Sequence, residues 1–330
     1  MHKRFVNHCT IDLTISPCGS VLIKSSKEGA DPTKPDMEFV ETYHAGGRSI
    51  FLPGSSLKGA IRAHAERIVR TVSDTNERPS NSDKLWASDP LSKDKKNNPN
   101  FYLEDWKSNN KSNPYPGATL YKESCFTSQM FGSTSVASRI RVEDAYPLDV
   151  KQLKVEERNG VAIDRVFGSA VPGALFNYQV CTSGEFHTKI HLKNFTLAQL
   201  GLIGLVLRDL NDGWFGLGFA KSRGMGLVET KLNSAIVQYP GCVLDGDSIK
   251  AIGTGQQWRK TVLLGVGEFL DETEAGRYGF PKPDQQDTPV AGAEMPLGFG
   301  VQLTWSGAEQ VKDLFMRSVK SWSQVLGVAA

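Results

Sequence analysis

Alternating apolar and polar positions mark the first elements of the chain. Residues 5–14 (Phe5-Val6-Asn7-His8-Cys9-Thr10-Ile11-Asp12-Leu13-Thr14) alternate roughly and carry β-favouring side chains, as do Ser20 to Lys24 and Glu38 to Tyr43, so all three read as strands. Between them, Ser25 to Pro35 sets Gly29, Pro32 and Pro35 among charged residues, which suits an exposed loop. After Pro53-Gly54 the period lengthens. Leu57, Ile61, Ala65, Ile68 and Val69 form one stripe and Lys58, Arg62, Glu66 and Arg70 another, predicting an amphipathic helix with Ser55 or Ser56 as its N-cap.

From about Ser73 to Lys122 the pattern breaks into Asn, Ser, Asp, Lys and Pro, an irregular insertion. Its aromatic residues Trp86, Phe101, Tyr102, Trp106, Tyr115 and Tyr121 anchor it to the body in the first reading and contact nucleobases in the second. Arg139-Ile140-Arg141-Val142-Glu143-Asp144-Ala145 then alternates as a strand, with Arg139 and Arg141 expected on one face. A hairpin is predicted around Gly168 to Gly173, and Glu185 to Leu192 alternates again. Leu197 to Leu210 is strongly apolar and closes at Asn211-Asp212-Gly213, predicting a second, more buried helix. A glycine-rich turn over Phe215 to Glu229 enters a strand. The remainder mixes strands with a helix from Ala308 to Val325, whose Val311, Leu314, Phe315, Val319 and Trp322 suit packing on the body or on a neighbouring subunit.

Composition narrows the class. With 330 residues and 39% hydrophobic content, the chain can fill a sizeable core. No apolar run of about 18 residues is present and Met1-His2-Lys3-Arg4 does not open a signal peptide, so a cytoplasmic protein without a membrane partner is expected. The five cysteines lie far apart with no CxxC pair, which signals neither a disulfide framework nor a zinc site. His187 and His191 are four apart, but in a strand, and form no metal pattern. A net charge of +2 does not announce nucleic-acid binding by itself, so charge placement must decide.

Two segments place charge where a polyanion would use it. Pro53 to Arg62 puts helix-start N–H groups beside Ser55 and Ser56, with Lys58 and Arg62 one turn apart, an anion site in outline. Ala60 after Gly59 breaks the P-loop pattern, and Gly216 to Gly226 departs from the dinucleotide spacing and leads into a strand, so no nucleotide cofactor is expected. In that second segment Gly218 and Gly224 let backbone approach a polyanion while Lys221 and Arg223 neutralise it.

Pro53-Gly54-Ser55-Ser56-Leu57-Lys58-Gly59, Arg139 to Ala145, Ile163-Asp164-Arg165 before Gly173-Ala174-Leu175-Phe176, and the late glycine-rich loop occur in the order in which they resemble the RAMP superfamily. They are most similar to backbone subunits of type III CRISPR effectors, in a III-D-like form with an insertion. The resemblance implies an α+β, ferredoxin-like (RNA-recognition-motif-like) core over 1–72 and 123–235, with a thumb hairpin at about 155–175. The irregular insertion at 73–122 and a C-terminal extension at 236–330 lie outside that core, the extension packing on it or on a neighbour. It further implies a guide CRISPR RNA, a target RNA, other RAMP subunits and the large subunit of the complex as partners. Ser55, Ser56, Lys58, Arg62, Lys221 and Arg223 would grip phosphates, with Arg139, Arg141 and Arg165 as further RNA contacts.

Subunits of this kind that cut target RNA use a loop aspartate upstream of the Pro-Gly-Ser-Ser motif. Asp36 best matches that place and Asp31 is the alternative. The carboxylate would hold Mg²⁺ or another divalent cation, or position the attacking 2′-hydroxyl, making the chain an endoribonuclease that acts within the complex. A non-cleaving backbone subunit and a stand-alone CRISPR RNA processing endonuclease remain the competing classes.

Overall fold

The computed structural model describes residues 4–25, 35–44, 47–73, 77–80 and 84–326. Asp31 lies outside the described residues. The first long strand, β1 (His8–Pro17), alternates as expected. Cys9, Ile11, Leu13 and Ile15 are buried, while His8, Thr10 and Asp12 point to the other face.

Three further strands of the central sheet follow, β2 (Ile140–Val142), β5 (Phe186–Lys193) and β6 (Val228–Tyr239), and between β2 and β5 the chain forms a separate two-stranded hairpin of β3 (Lys154–Ile163) and β4 (Ala170–Ser183). With β7 (Val301–Ser306), the sheet order is Ala293–Glu294, β7, β6, β1, β5, β2, and Tyr146–Pro147 also pairs with β5. β6, β1, β5 and β2 are antiparallel neighbours. Helix α1 (Gly54–Val72) joins β1 to β2, and Leu197–Asn211, labelled α5 below, joins β5 to β6. Strand, helix, strand, strand, helix, strand, with the first strand between the third and fourth, is the ferredoxin-like arrangement, and the fold is α+β. Leu57 and Ile61 of α1 and most of α5 lie buried in one core with the apolar face of the sheet.

The insertion is more regular than its composition predicts. It holds α2 (Pro99–Asn109) and α3 (Pro116–Glu123), followed by α4 (Phe126–Phe131). Trp86, Tyr102, Leu103 and Tyr121 are buried with Val266, Leu270, Tyr278 and Phe280 in a second core, where α6 (Glu272–Tyr278) meets α3. Anchoring is therefore the role of Trp86, Tyr102 and Tyr121. Phe101 and Tyr115 stay exposed.

The C-terminal region packs on this chain's own core. β6 runs to Tyr239, past the expected boundary at 235, and β7 pairs with it along its length from Val301 to Ser306. Helix α7 (Ala308–Lys320) then packs on α5, with Phe315 and Ser318 set against Gly204 and Gly201. The apolar stripe of α7 thus meets this chain's own helix. Ser20 to Lys24 makes only isolated bridges, Val21 to Cys181 and Lys24 to Phe39, where a strand was expected.

Candidate nucleic-acid interface

α1 begins at Gly54, ahead of both serines. Pro53 is its N-cap and has no side-chain acceptor to offer, and the Gly54 N–H donates instead to Asp144 Oδ1 at 2.7 Å. The anion at this helix start is therefore a carboxylate of the chain itself, placed where the helix dipole favours negative charge. Leu52 and Ala145 exchange backbone hydrogen bonds beside it at 3.0 and 2.8 Å. The Lys58 ammonium donates to Ser138 Oγ at 2.9 Å, and burial, with Arg62 nearby, lowers its pKa. Arg62 donates to the Gly132 carbonyl at 3.0 Å and pairs with Glu66 at 2.9 Å. Lys58 and Arg62, two of the six expected phosphate ligands, thus belong to the seam that locks α1 to residues 132–145. Ser55 remains exposed and Ser56 half-buried.

The two arginines expected on one face part company. Arg139 is buried just ahead of β2, where its guanidinium stacks on Tyr121 at 3.9 Å and donates to the Asn194 carbonyl. Arg141 is exposed on β2 and pairs with Glu143 at 3.2 Å. A cation buried beneath a ring and bonded to a carbonyl does not reach a phosphate in solvent, so Arg139 packs the interior.

The glycine-rich segment is fastened to the rim of the core. Cys18 N–H donates to the Leu227 carbonyl, Gly226 N–H to Ser20, Phe219 N–H to Leu22 and Leu217 N–H to Gly226. Gly218, at φ +77°, brings its backbone so near the Leu22 carbonyl that a Cβ would lie 2.1 Å from that oxygen, which only glycine tolerates. A single 3₁₀ turn, Lys221–Arg223, projects between the left-handed residues Ala220 and Gly224. Lys221, Ser222 and Arg223 are all exposed, and among the described residues neither cation has an ion-pair partner.

The hairpin of β3 and β4 stands away from the body. Nearly all of β3 is exposed, and so are Val166 (82%) and Phe167 (85%) at the tip. Asp164 shapes that tip by accepting the Val166 and Phe167 N–H groups at 2.8 Å, with Arg165 exposed between them. Only the root packs, through Val180 and Cys181. Asp36 sits at this root. Its N–H donates to Asn177 Oδ1 at 2.8 Å, and its Oδ2 accepts the Asn177 N–H at 2.9 Å.

Metal chemistry at Asp36 finds little support in the donor set. Among the described residues no three His, Cys, Asp or Glu side chains converge, and one Asp36 oxygen is already spent on the Asn177 backbone. The described residues thus form no three-ligand metal centre at Asp36. His44 stacks on Tyr146 at 3.7 Å. His187 pairs with Asp12 at 2.9 Å and His191 with Glu143 at 2.8 Å, so the two histidines of β5 serve separate partners on the polar face of the sheet.

The fold is thus a ferredoxin-like core with an exposed hairpin arm and a cation-bearing turn fastened to the sheet rim. The chain belongs to the RAMP superfamily, whose model matches residues 15–229. That superfamily is associated with CRISPR–Cas RNA-binding subunits. No curated protein matches the chain. Among the described residues, no helix is long and apolar enough to cross a membrane.

Proposed function

We propose that this chain is a guide-holding backbone subunit of a type III CRISPR effector. The glycine-loop turn lies along the CRISPR RNA backbone, and the hairpin arm reaches toward the guide–target duplex. Neighbouring RAMP subunits and the large subunit are its protein partners. The observation that carries this reading is the exposed turn Lys221–Arg223, two cations without ion-pair partners among the described residues on a loop rigidly fastened to the core. Cations so placed neutralise phosphates without reading bases, and sequence recognition is left to pairing. Arg141 and Arg165, exposed on β2 and at the hairpin tip, extend the same surface.

Replacing Lys221 and Arg223 together by Ala should weaken binding of single-stranded RNA of any sequence. The slope of log affinity against log salt should become shallower by about 0.7 per lost contact. Sequence-selective weakening, or none, would overturn the reading.

A cutting role is favoured by one observation: Asp36 is exposed yet held in a fixed position at the hairpin root by its reciprocal bonds with Asn177. In that role its carboxylate takes the proton of a target 2′-hydroxyl as the oxygen attacks the adjacent phosphorus, the bond from phosphorus to the 5′-oxygen breaks, and the departing 5′-oxygen takes a proton from water, leaving a 2′,3′-cyclic phosphate. Asp36→Asn keeps an acceptor for the Asn177 N–H and removes the base. Assembled complexes carrying either Asp36→Asn or Asp36→Ala should bind target RNA normally and lose cleavage at the sites this subunit serves, and unchanged cleavage in both removes Asp36 from the chemistry.

A further inference from the structure

Between α1 and the glycine-rich segment lies a cleft of about 330 Å³, lined by Ala60, Ala63, Arg67, Trp214, Phe215, Lys221 and their neighbours. Its lining contains two cations, Arg67 and Lys221, and no carboxylate. Trp214 stands at its edge with 68% of its surface exposed, an apolar area that a monomer gains nothing by leaving in water.

The backbone beneath this indole is firmly held. Trp214 N–H donates to the Asp209 carbonyl at 2.9 Å. The Asp209 carboxylate is buried, bound on one oxygen by His64 Nε2 at 2.8 Å and on the other by Arg208 Nε and a terminal guanidinium nitrogen at 2.8 and 2.7 Å. Phe215 stacks on His64 with ring centroids 4.3 Å apart, and the Arg208 guanidinium lies 5.9 Å from the Trp214 ring. An exposed ring on a rigid base, with cations on both sides of the adjoining cleft, is the arrangement with which proteins stack a base and hold its phosphate.

We infer that the cleft is a nucleotide subsite of the RNA-binding surface: Trp214 stacks one unpaired base of a single-stranded RNA, while Arg67 and Lys221 hold the flanking phosphates. This rests on the RNA-binding reading above and adds a contact to the base itself. Polyanionic RNA is the occupant because the lining offers positive charge alone beside the aromatic ring.

The test is fluorescence anisotropy of the full-length chain with a labelled single-stranded oligoribonucleotide and with the same oligomer lacking its bases. Trp214→Ala should weaken the base-bearing RNA by about 5- to 150-fold, the range for one stacked base, at unchanged salt slope. Trp214→Phe should recover most of the loss, and on the abasic oligomer Trp214→Ala should match the parent. The exposure of Trp214 leaves the fold intact, which circular dichroism and a melting curve verify. If Trp214→Ala binds as the parent does while the Lys221 and Arg223 double variant weakens, the subsite is wrong and the RNA-binding reading stands. If the parent binds no RNA, both fall. If Trp214→Ala leaves RNA affinity unchanged and abolishes self-association in sedimentation, the cleft is occupied by a second copy and the inference is overturned.

Discussion

At the residue scale, the two glycines of the Pro-Gly-Ser-Ser-Leu-Lys-Gly motif have different duties. A Cβ on Gly54 would lie 2.3 Å from the Val142 carbonyl oxygen and 2.9 Å from the Glu143 carbonyl carbon, whereas Gly59 faces open space. Gly54→Ala must therefore push α1 off the segment that follows β2, and it also disturbs the N–H that Asp144 binds. Loss of about 1–3 kcal/mol of stability is expected, read as a lower urea midpoint. Gly59→Ala, exposed within the helix, should be neutral or stabilising by up to about 1 kcal/mol in the same measurement. The seam also explains why this motif and the Arg-Ile-Arg-Val-Glu-Asp-Ala motif occur together: Asp144 of one caps the helix of the other. Arg139 and Arg141 make the same point in reverse, because two identical residues two positions apart were read as equivalent, and only burial beneath Tyr121 separates them.

At the element scale, α1 and α5 were legible because their apolar residues recur at helical spacing and α5 carries a capping box from Thr196 and Gln199. The helices α2 and α3 were hidden, since each is short and mostly polar and buries only a few residues, against the distant segment from Val266 to Phe280. The start of α5 is also held from that distant region. Asp284, fully buried, accepts the Leu197 N–H at 3.0 Å and the Gly267 N–H at 3.2 Å.

Burial pushes the Asp284 carboxyl up to about 7, the two N–H bonds pull it down, and the nearby Glu268 raises it. The folded chain therefore keeps a proton that the unfolded chain, with a carboxylate of ordinary pKa about 3.9, has released. Between those values the folded state binds more protons, so the contribution of this group to stability falls as pH rises from about 4 to about 7 and is lowest above that. Denaturation midpoints should be higher at pH 5.5 than at pH 8. Asp284→Asn should flatten that difference while lowering stability at both values, and an unchanged pH dependence would exclude Asp284 as its source.

At the scale of the whole molecule, the ferredoxin-like order was implied by the resemblance that four motifs carry in their order, while the strand and helix periods by themselves read as a β-rich body with two helices. Local pattern also determined the hairpin arm, whose two strands pair with each other, and marked the glycine-loop cations, although that loop is anchored on Cys18, Ser20 and Leu22 from the far end of the chain. What sequence alone could not assign was the use of each polar group. Lys58, Arg62 and Arg139 look like phosphate ligands until the tertiary structure supplies Ser138, Gly132 and Tyr121 as their partners. Trp214, Arg67 and Arg208 drew no notice because no motif contains them, and they become a site only when α1 and the loop after α5 are folded against each other. β7 and α7 joined the central layer for the same reason. Period and order are properties of neighbouring residues and survive in the sequence, whereas burial, pairing and clefts are made by residues far apart in the chain, and only the folded structure decides them.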